Sequence, residues 1–287
     1  MISKPFFSIA IPFYYRDENS LNQLYRCVNS IKNQLFKSYE VIISTQNIFE
    51  RLKEDPFFNT EMINLYNAEN IGGFIQGNIN NAIQNCSGKW IKILFSDDFF
   101  FDQYSLTNLN LQLNSNDKMW AVMNSLHFNH DSKKIYKPLI PYFQKNILEV
   151  NTIGSPSAIV LRNSKKILFD KKSWMRLDVD YYLSLFKKLG KPLYINDVFI
   201  VNEIHKNQFS ALLLNKDKYI KNKLKNEFEY LFNKHKYKKK NVMSLFFLRV
   251  FIKLDRLLLS LLYKILYKNF NKIIKIIFKF KYQKYFK

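Results

Sequence analysis

The first hundred residues alternate between short apolar segments and amphipathic helical segments, and this rhythm constrains the fold more than any other feature of the chain. Apolar segments of strand type occupy residues 7–12, 39–44, 62–66 and 90–95. N-cap candidates at residues 17–20 precede a first helix, and a second helix is predicted over about 76–85. Buried strands separated by helices predict a parallel sheet that is covered by helices on both faces.

Composition supports a folded body in a reducing environment. The chain has 287 residues, of which 47% are hydrophobic and 24% are charged, so a sizeable core can form. Its 2 cysteines cannot build a disulfide framework. The first five residues lead directly into a strand pattern and lack the pattern of a secretion signal. We therefore expect a cytoplasmic protein.

The positive charge is concentrated in the last quarter of the chain. Residues 215–287 carry 21 Lys and Arg against 4 Asp and Glu, a net charge of +17. Residues 1–214 carry 24 against 19, a net charge of +5. The sequence therefore predicts a near-neutral globular domain over 1–214 and a basic extension over 215–287.

The basic extension has an amphipathic helical pattern. Lys and Arg recur three, four or eight residues apart from Arg249 to Lys279, with Leu, Ile and Phe between them. Its apolar runs are too short to span a bilayer, which favours a helix lying on an anionic membrane surface. A helical pair packed on the body, with its lysines in water, is the alternative. A nucleic-acid partner is a weaker alternative, because no recognition motif accompanies the charge, and no specific nucleic acid is expected.

Polar residues follow several of the predicted strands, at the sheet edge where ligands bind in such folds. The first strand delivers Pro12, Tyr14 and Arg16, the second delivers Gln46, and the fourth delivers Ser96, Asp97 and Asp98. Two adjacent carboxylates repel each other unless a cation or donors lie nearby. The Asp97-Asp98 pair therefore indicates a divalent cation, Mg²⁺ or Mn²⁺, that bridges a diphosphate. The pair could instead begin a helix or a turn.

Six segments in register resemble family 2 glycosyltransferases. They comprise residues 7–16, 39–43, 70–78, 88–98, 153–158 and 177–182, and Ile204-His205 follows in the same order. The resemblance implies a GT-A fold, with a nucleotide-sugar half over about 1–100 and an acceptor half over about 101–214. It also implies transfer of a sugar from a nucleoside diphosphate-sugar to an acceptor hydroxyl.

The resemblance assigns roles to individual residues. Asp97 and Asn78 match positions that contact the donor, and Asp98 and His205 match positions near the divalent ion. Asp178 matches the general base, with Asp180 as the fallback. Because neighbouring carboxylates two residues apart point in different directions, only one of Asp178 and Asp180 should reach the acceptor. Capping of the following helix is the alternative role for both. A single carboxylate base suits direct displacement with inversion.

The sequence also departs from the family pattern. Ser44, Thr45 and Gln46 stand where the family often has a pair of aspartates, and Gly77 stands where an arginine frequently precedes Asn78. Gln46 can donate and accept hydrogen bonds, so it could read a pyrimidine base. We expect a saccharide or lipid-linked saccharide acceptor, in surface polysaccharide or glycolipid assembly on the inner face of the membrane. A non-catalytic membrane-bound scaffold of the same fold is the principal alternative function.

Overall fold

The protein is described by a computed structural model for residues 4–72, 74–129, 131–132, 134–135, 138–143, 147–204 and 218–236. Two predicted features, His205 and the basic helical face from Arg249 to Lys279, lie outside the described residues.

The first part of the chain has the predicted strands and helices in the predicted order, with one additional short helix over Phe49–Glu54 that was not predicted. Its elements are β1 (Phe7–Tyr14), α1 (Glu18–Lys32), β2 (Tyr39–Gln46), α2 (Phe49–Glu54), β3 (Ile63–Asn67), α3 (Phe74–Gln84) and β4 (Trp90–Ile93). Asp17 is the N-cap of α1, because its side chain accepts a hydrogen bond from the backbone nitrogen of Ser20 at 2.8 Å. The Ser20 hydroxyl in turn accepts from the backbone nitrogen of Asp17, which completes a capping box.

The second part has shorter strands and longer connections. Its elements are β5 (Phe99–Phe100), α4 (Ser105–Asn114), β6 (Trp120–Asn129), β7 (Lys134–Ile135), β8 (Ile159–Arg162), α5 (Leu177–Leu189), β9 (Leu193–Ile204) and α6 (Lys218–His235). A short 3₁₀ turn over Pro156–Ala158 leads directly into β8.

The nine strands of the described residues form one mixed sheet in the order β3-β2-β1-β4-β8-β6-β9-β5, with β7 paired to β6. Strands β3, β2, β1 and β4 are parallel, β8 is antiparallel to both of its neighbours, and β9 is parallel to β6. The carboxyl ends of β4 and β9 therefore lie at the same sheet edge as the amino end of β8. This edge carries the predicted site, and the α/β fold class predicted from the sequence is confirmed.

Two buried clusters lie on the two faces of the sheet. Alternate residues of β1 show this division, because Ile9 and Ile11 belong to one cluster and Ala10 belongs to the other. Helices α1 and α4 contribute to the first cluster, and α3, α5 and α6 contribute to the second. Helices therefore cover both faces, as the sequence predicted.

Helix α6 is the first helix of the predicted basic extension, and it packs on the globular body. Leu231 is fully buried and belongs to the same cluster as Val179 and Leu183 of α5. Across the ranges given above, no helix has the length and apolar character needed to cross a bilayer. The domain boundary predicted between residues 214 and 215 stays a prediction.

Candidate active site

The acidic pair lies in a turn between β4 and β5. The backbone nitrogen of Asp98 donates to the carbonyl oxygen of Phe95 at 2.9 Å, and the chain then continues as a strand. Asp97 is half-buried, whereas only 4% of the Asp98 surface is exposed. The pair therefore does not begin a helix, and its second member points into the protein.

Two neutral donors hold the Asp98 carboxylate. Its Oδ2 accepts a hydrogen bond from the Asn202 amide at 2.8 Å and from the Ser155 hydroxyl at 3.2 Å. Burial raises the pKa of Asp98 to about 8, and the negative charge of Asp97 adds to the rise, while the hydrogen bonds from Ser157, Asn202 and Ser155 oppose it. The buried Lys92 also interacts with Asp98, and burial lowers the pKa of this lysine to about 7 while the Asp98 charge opposes the change. The Asp98 carboxylate is thus well ordered, but its charge is costly at this depth.

A buried ion pair supports the turn that carries Asp97. Arg26 of α1 donates to the backbone carbonyl of Asp97 at 3.2 Å and pairs with the carboxylate of Glu203, which is fully buried. The Gln23 amide also donates to Glu203, at 3.3 Å. Because Glu203 and Asn202 are neighbours on β9, this strand fixes both residues of the acidic pair.

The residues at this turn fit a hard divalent cation. Mg²⁺ typically takes one or two carboxylates together with substrate oxygens, and Asp97 and Asp98 offer two carboxylates. A bound cation would also stabilise the ionised form of Asp98 and so lower its raised pKa. Within the part of the chain that the structure covers, no three His, Cys, Asp or Glu side chains come together as a complete ligand set. His205, which was predicted as a metal ligand together with Asp98, lies outside it.

Asp178 lies in the first turn of α5 and is half-buried. Its Oδ2 accepts from the Asn151 amide at 2.5 Å, and its Oδ1 accepts from the backbone nitrogen of Val179 at 2.8 Å. Burial raises the pKa of Asp178 to about 6, although these hydrogen bonds and the charge of Arg176 act in the opposite direction. The Asp178 carboxyl is therefore mostly ionised at pH 7 and can still take up a proton readily.

One short loop connects Asp178 to Asp98. Asn151 at its start contacts Asp178, and Ser155 at its end contacts Asp98. Five residues span at most about 14 Å between their first and last Cα atoms. The two carboxylates are therefore anchored at opposite ends of one short segment.

The loop itself is rigidly held. The Asn151 side-chain oxygen accepts from the backbone nitrogens of Ile153 and Gly154, at 2.9 Å each. The Gly154 carbonyl accepts from the Tyr182 hydroxyl at 2.7 Å. Gly154 has φ of +103°, and a Cβ atom there would lie 2.5 Å from the Leu139 side chain, so glycine is required.

Asp180 has a different environment from Asp178. It is almost fully buried, and its Oδ1 lies 2.6 Å from Nε2 of His235 and 2.8 Å from Nζ of Lys234. Both partners belong to α6. The Asp180 carboxylate is thus committed to a contact between two helices.

The predicted donor residues lie around the carboxyl ends of β1, β2 and β4. Asn78 is buried on α3 and donates to the Phe13 carbonyl at 2.9 Å, while its side-chain oxygen has no partner among the described atoms. The Gln46 amide donates to the Ala68 carbonyl at 3.0 Å. The other predicted donor residues lie nearer the surface: Pro12 and Ser96 are half-buried, and Tyr14 and Arg16 are exposed.

Several supporting residues escaped the sequence interpretation. Asn151, Asn202 and Glu203 were not singled out, and Ser155 was included only as part of the segment 153–158. All four residues lie within two positions of segments that carry the family resemblance, which is the only sequence signal that could have found them. Their contacts depend on how distant strands pair, and this cannot be read from local pattern.

A mixed sheet with an acidic turn after its fourth strand, and a carboxylate at the start of a later helix, is the arrangement of a GT-A fold. The family model described as glycosyl transferase family 2 matches residues 8–160, which is more than half of the chain. The chain therefore belongs to glycosyl transferase family 2.

Solved structures support the fold. TarS of S. aureus, in complex with UDP-GlcNAc, is similar with a TM-score of 0.56 and 14% identity, covering 70% of this chain and 59% of that one. A mannosyltransferase of Pyrobaculum calidifontis, in complex with GDP-Man and Mn²⁺, is similar with a TM-score of 0.54 and 13% identity, covering 83% of this chain and 66% of that one.

One curated relative also matches. It is an uncharacterized protein of Mycoplasma genitalium, 27% identical over 273 residues. The match covers 84% of this chain but only 39% of the relative.

Proposed function

We propose that this protein transfers a sugar from a nucleoside diphosphate-sugar to an acceptor hydroxyl, with inversion at the anomeric carbon. The observation that carries the proposal is the loop from Asn151 to Ser155, which holds Asp178 at one end and Asp98 at the other. An acidic residue suited to the donor and a carboxylate suited to the acceptor are thereby fixed in one site.

Asp178 is the general base in this proposal. A base with a pKa near 6 is ionised at neutral pH and can take the proton of an attacking hydroxyl. Asp180 is assigned no catalytic role, because its carboxylate is engaged by Lys234 and His235. Attack of the hydroxyl on the face opposite the leaving diphosphate breaks the glycosidic bond in one step, which inverts the anomeric configuration.

Asp97 and Asp98 serve the donor. Asp98 would hold a divalent cation, with Asp97 facing the sugar-nucleotide and His205 as a further ligand. A bound Mg²⁺ or Mn²⁺ supplies positive charge to the leaving diphosphate. The fixed donors Ser155 and Asn202 keep the Asp98 carboxylate in one orientation before the donor arrives.

The donor is a uridine or guanosine diphosphate-sugar, by analogy with the ligands in the two structural neighbours. Gln46, at the end of β2, is placed to read the base, and Asn78 offers a buried oxygen without a partner near the end of β1. The proposed acceptor is a saccharide or a lipid-linked saccharide of surface polysaccharide or glycolipid assembly.

Release of nucleoside diphosphate from UDP-GlcNAc and GDP-mannose tests the proposal. The wild-type protein should turn over at least one of these donors in the presence of Mn²⁺ or Mg²⁺ and should stop on addition of a chelator. Asp98→Asn should lose about 10²–10³-fold in turnover, because the charge on the leaving group is no longer met. Asp117→Asn is the matched control, since Asp117 is exposed and lies outside the site.

Equal turnover in Asp98→Asn and in the wild type would remove the metal assignment. Donor binding without any turnover, in the wild type as in both variants, would favour the scaffold of the same fold.

We further propose that the basic extension attaches the protein to the inner face of an anionic membrane. Support comes from the net charge of +17 over residues 215–287 and from the apolar residues between the lysines. Each lysine near an anionic surface contributes about 1 kcal/mol, so replacing Lys272, Lys275 and Lys279 by Gln should weaken vesicle binding by about two orders of magnitude.

The vesicle test compares phosphatidylserine vesicles with phosphatidylcholine vesicles. Replacement of the exposed Lys53, Lys118 and Lys188 by Gln removes the same charge from the body and should leave binding nearly unchanged. Indifference of the full-length protein to both vesicles, together with RNA binding that falls steeply with salt, would support the nucleic-acid alternative instead.

A further inference from the structure

A buried carboxylate of α6 binds the backbone directly before α5, the helix that carries Asp178. Glu227 is 6% exposed, and its Oε1 accepts from the backbone nitrogens of Trp174 at 2.7 Å, Met175 at 2.9 Å and Arg176 at 2.9 Å. The Ser173 hydroxyl also donates to it, at 3.2 Å. Three successive backbone amides that directly precede α5, the last of them at its N-cap, are thus held by one side chain from a distant helix.

Within the described residues, the side chains at the start of α5 do not replace this contact. Arg176 is the N-cap residue of α5, and its side chain makes no capping hydrogen bond. Asp178 caps only the nitrogen of its neighbour Val179. An anion at a helix amino end is also favoured by the helix dipole, and Glu227 supplies that charge.

Helix α6 contacts α5 at a second place, about 12 Å from Glu227 along the axis of α6. His235 is eight residues after Glu227, and a helix rises about 1.5 Å per residue. His235 contacts Asp180 at 2.6 Å, and its carbonyl oxygen accepts from Lys187 at 3.0 Å. Leu231, between the two contacts, is fully buried. Asp178 therefore lies between two attachment points of one helix.

The segment before α5 is held from the opposite side by α3. The Asn80 side chain exchanges two hydrogen bonds with the backbone of Phe169, each of 2.8 Å, and Gln76 donates to the Ser173 carbonyl. The start of the segment is thus fixed to the donor half, and Glu227 fixes its end. Without Glu227, the backbone amides of Trp174, Met175 and Arg176 would lose this acceptor, while the contacts of Asp178 and Asp180 further along α5 would remain.

We infer that Glu227 is a positioning residue for Asp178. Helix α6, at the start of the predicted basic extension, therefore contributes to the function of the acceptor half. The inference rests on the proposed function, because it takes Asp178 to be the base. Glu227 does not touch the reacting groups, and it acts by setting the direction in which α5 presents the Asp178 carboxylate.

Substitutions of Glu227 in the full-length protein test the inference through donor turnover with Mn²⁺. Displacement of a catalytic group by about 1 Å can cost about 10²-fold in rate. We expect Glu227→Ala to lower kcat about 10²-fold and Glu227→Gln to lower it about 10-fold, because glutamine keeps one acceptor oxygen. KM for the donor should stay within about twofold, since the proposed donor residues lie on other elements.

Glu229→Gln provides the matched control. Glu229 lies on the same helix, is exposed, and has only a 4.0 Å ion pair with Lys225. This variant should keep wild-type kcat and KM. A loss in Glu229→Gln equal to that in Glu227→Gln would overturn the inference, because the effect would then belong to the charge of α6 in general.

A double variant separates positioning from general damage to the fold. Asp178→Asn combined with Glu227→Gln should be no slower than Asp178→Asn alone, because a positioning residue acts only through the group it positions. Losses that add in the double variant would overturn the inference. Wild-type turnover in Asp178→Asn would instead overturn the proposed function.

Hydrogen exchange tests the contact itself and needs no turnover. The backbone amides of Trp174, Met175 and Arg176 should exchange faster in Glu227→Gln than in the wild type or in Glu229→Gln. Unchanged exchange at these three amides would overturn the inference even if the donor remained unidentified.

Discussion

The donor end and the acceptor end of the site each hold a buried or half-buried carboxylate, but the two carboxylates have different electrostatic surroundings. Burial, with the negative charge of the neighbouring Asp97 added to it, raises the pKa of Asp98 to about 8. Asp178 lies near the positive charge of Arg176, and its pKa is raised only to about 6. The first environment is suited to receive a cation, and the second is suited to exchange a proton at neutral pH. Environments that separate two pKa values in this way are typical of sites that divide chemical roles.

The largest effect on turnover is expected at the acceptor end. Asp178→Asn keeps the shape of the side chain but cannot accept a proton, so kcat for donor turnover should fall about 10²–10⁴-fold. The measurement is nucleoside diphosphate release under saturating donor. A loss of kcat below threefold would mean that Asp178 does not act as the base at the acceptor end.

Asp178→Asn should lower turnover but raise the stability of the fold. A carboxyl whose folded-state pKa is raised favours folding below its ordinary value of 3.8, and this contribution is lost as the pH rises through about 6. At pH 7 the ionised Asp178 therefore destabilises the fold, and Asp178→Asn should raise the unfolding temperature. A lower unfolding temperature in the variant would show that the folded protein stabilises the ionised carboxylate instead.

A smaller effect is expected when one support of the donor end is removed. Asn202→Ala deletes the 2.8 Å hydrogen bond to Asp98, and a hydrogen bond to a charged group is worth about 1.5–3 kcal/mol. Turnover at limiting Mn²⁺ should fall about 10-fold or more, and excess Mn²⁺ should restore part of it. A loss that is independent of the Mn²⁺ concentration would place Asn202 outside the cation site.

The pH dependence of kcat should follow the ionisation of Asp178 at the acceptor end. Because the base must be ionised, kcat should fall about tenfold per pH unit below about pH 6 and level off above it. Asn151→Ala removes a hydrogen bond that lowers the Asp178 pKa, so the midpoint should move to higher pH. A profile that rises toward acid pH, or a midpoint that moves down in Asn151→Ala, would contradict the assignment of the base.

The smallest effect on turnover is expected at Asp180. Its contacts with Lys234 and His235 are structural, so Asp180→Asn should change kcat by less than about threefold while lowering stability by about 3 kcal/mol. Chemical denaturation alongside donor turnover checks both parts. A large loss of kcat with unchanged stability would mean that Asp180, and not Asp178, is the general base.

The contrast between the two ends also explains what could be predicted from the sequence. Strands β1 to β4 and helices α1 and α3 follow local hydrophobic period and capping residues such as Asp17, so their positions were predicted within a few residues, whereas the six-residue α2 was not predicted. The acidic pair was predicted because it directly follows a buried strand. Both features are local.

The supports of the site are not local. Asn202 reaches Asp98 from a strand that pairs with β6 across the sheet, and Glu227 reaches α5 from a segment that composition alone marks as a basic extension. A single acidic residue in a basic segment carries no pattern of its own. Its role depends on the packing of α6, which the sequence left open between a membrane surface and the body.

The most direct test of the central claim is a crystal structure of the full-length protein with Mn²⁺ and UDP-GlcNAc or GDP-mannose, in which anomalous scattering locates the ion. The account predicts Mn²⁺ on the Asp98 carboxylate and the anomeric carbon of the sugar between the acidic turn and Asp178. A donor bound with its sugar on the far side of the sheet edge, away from the loop that joins Asn151 to Ser155, would contradict it.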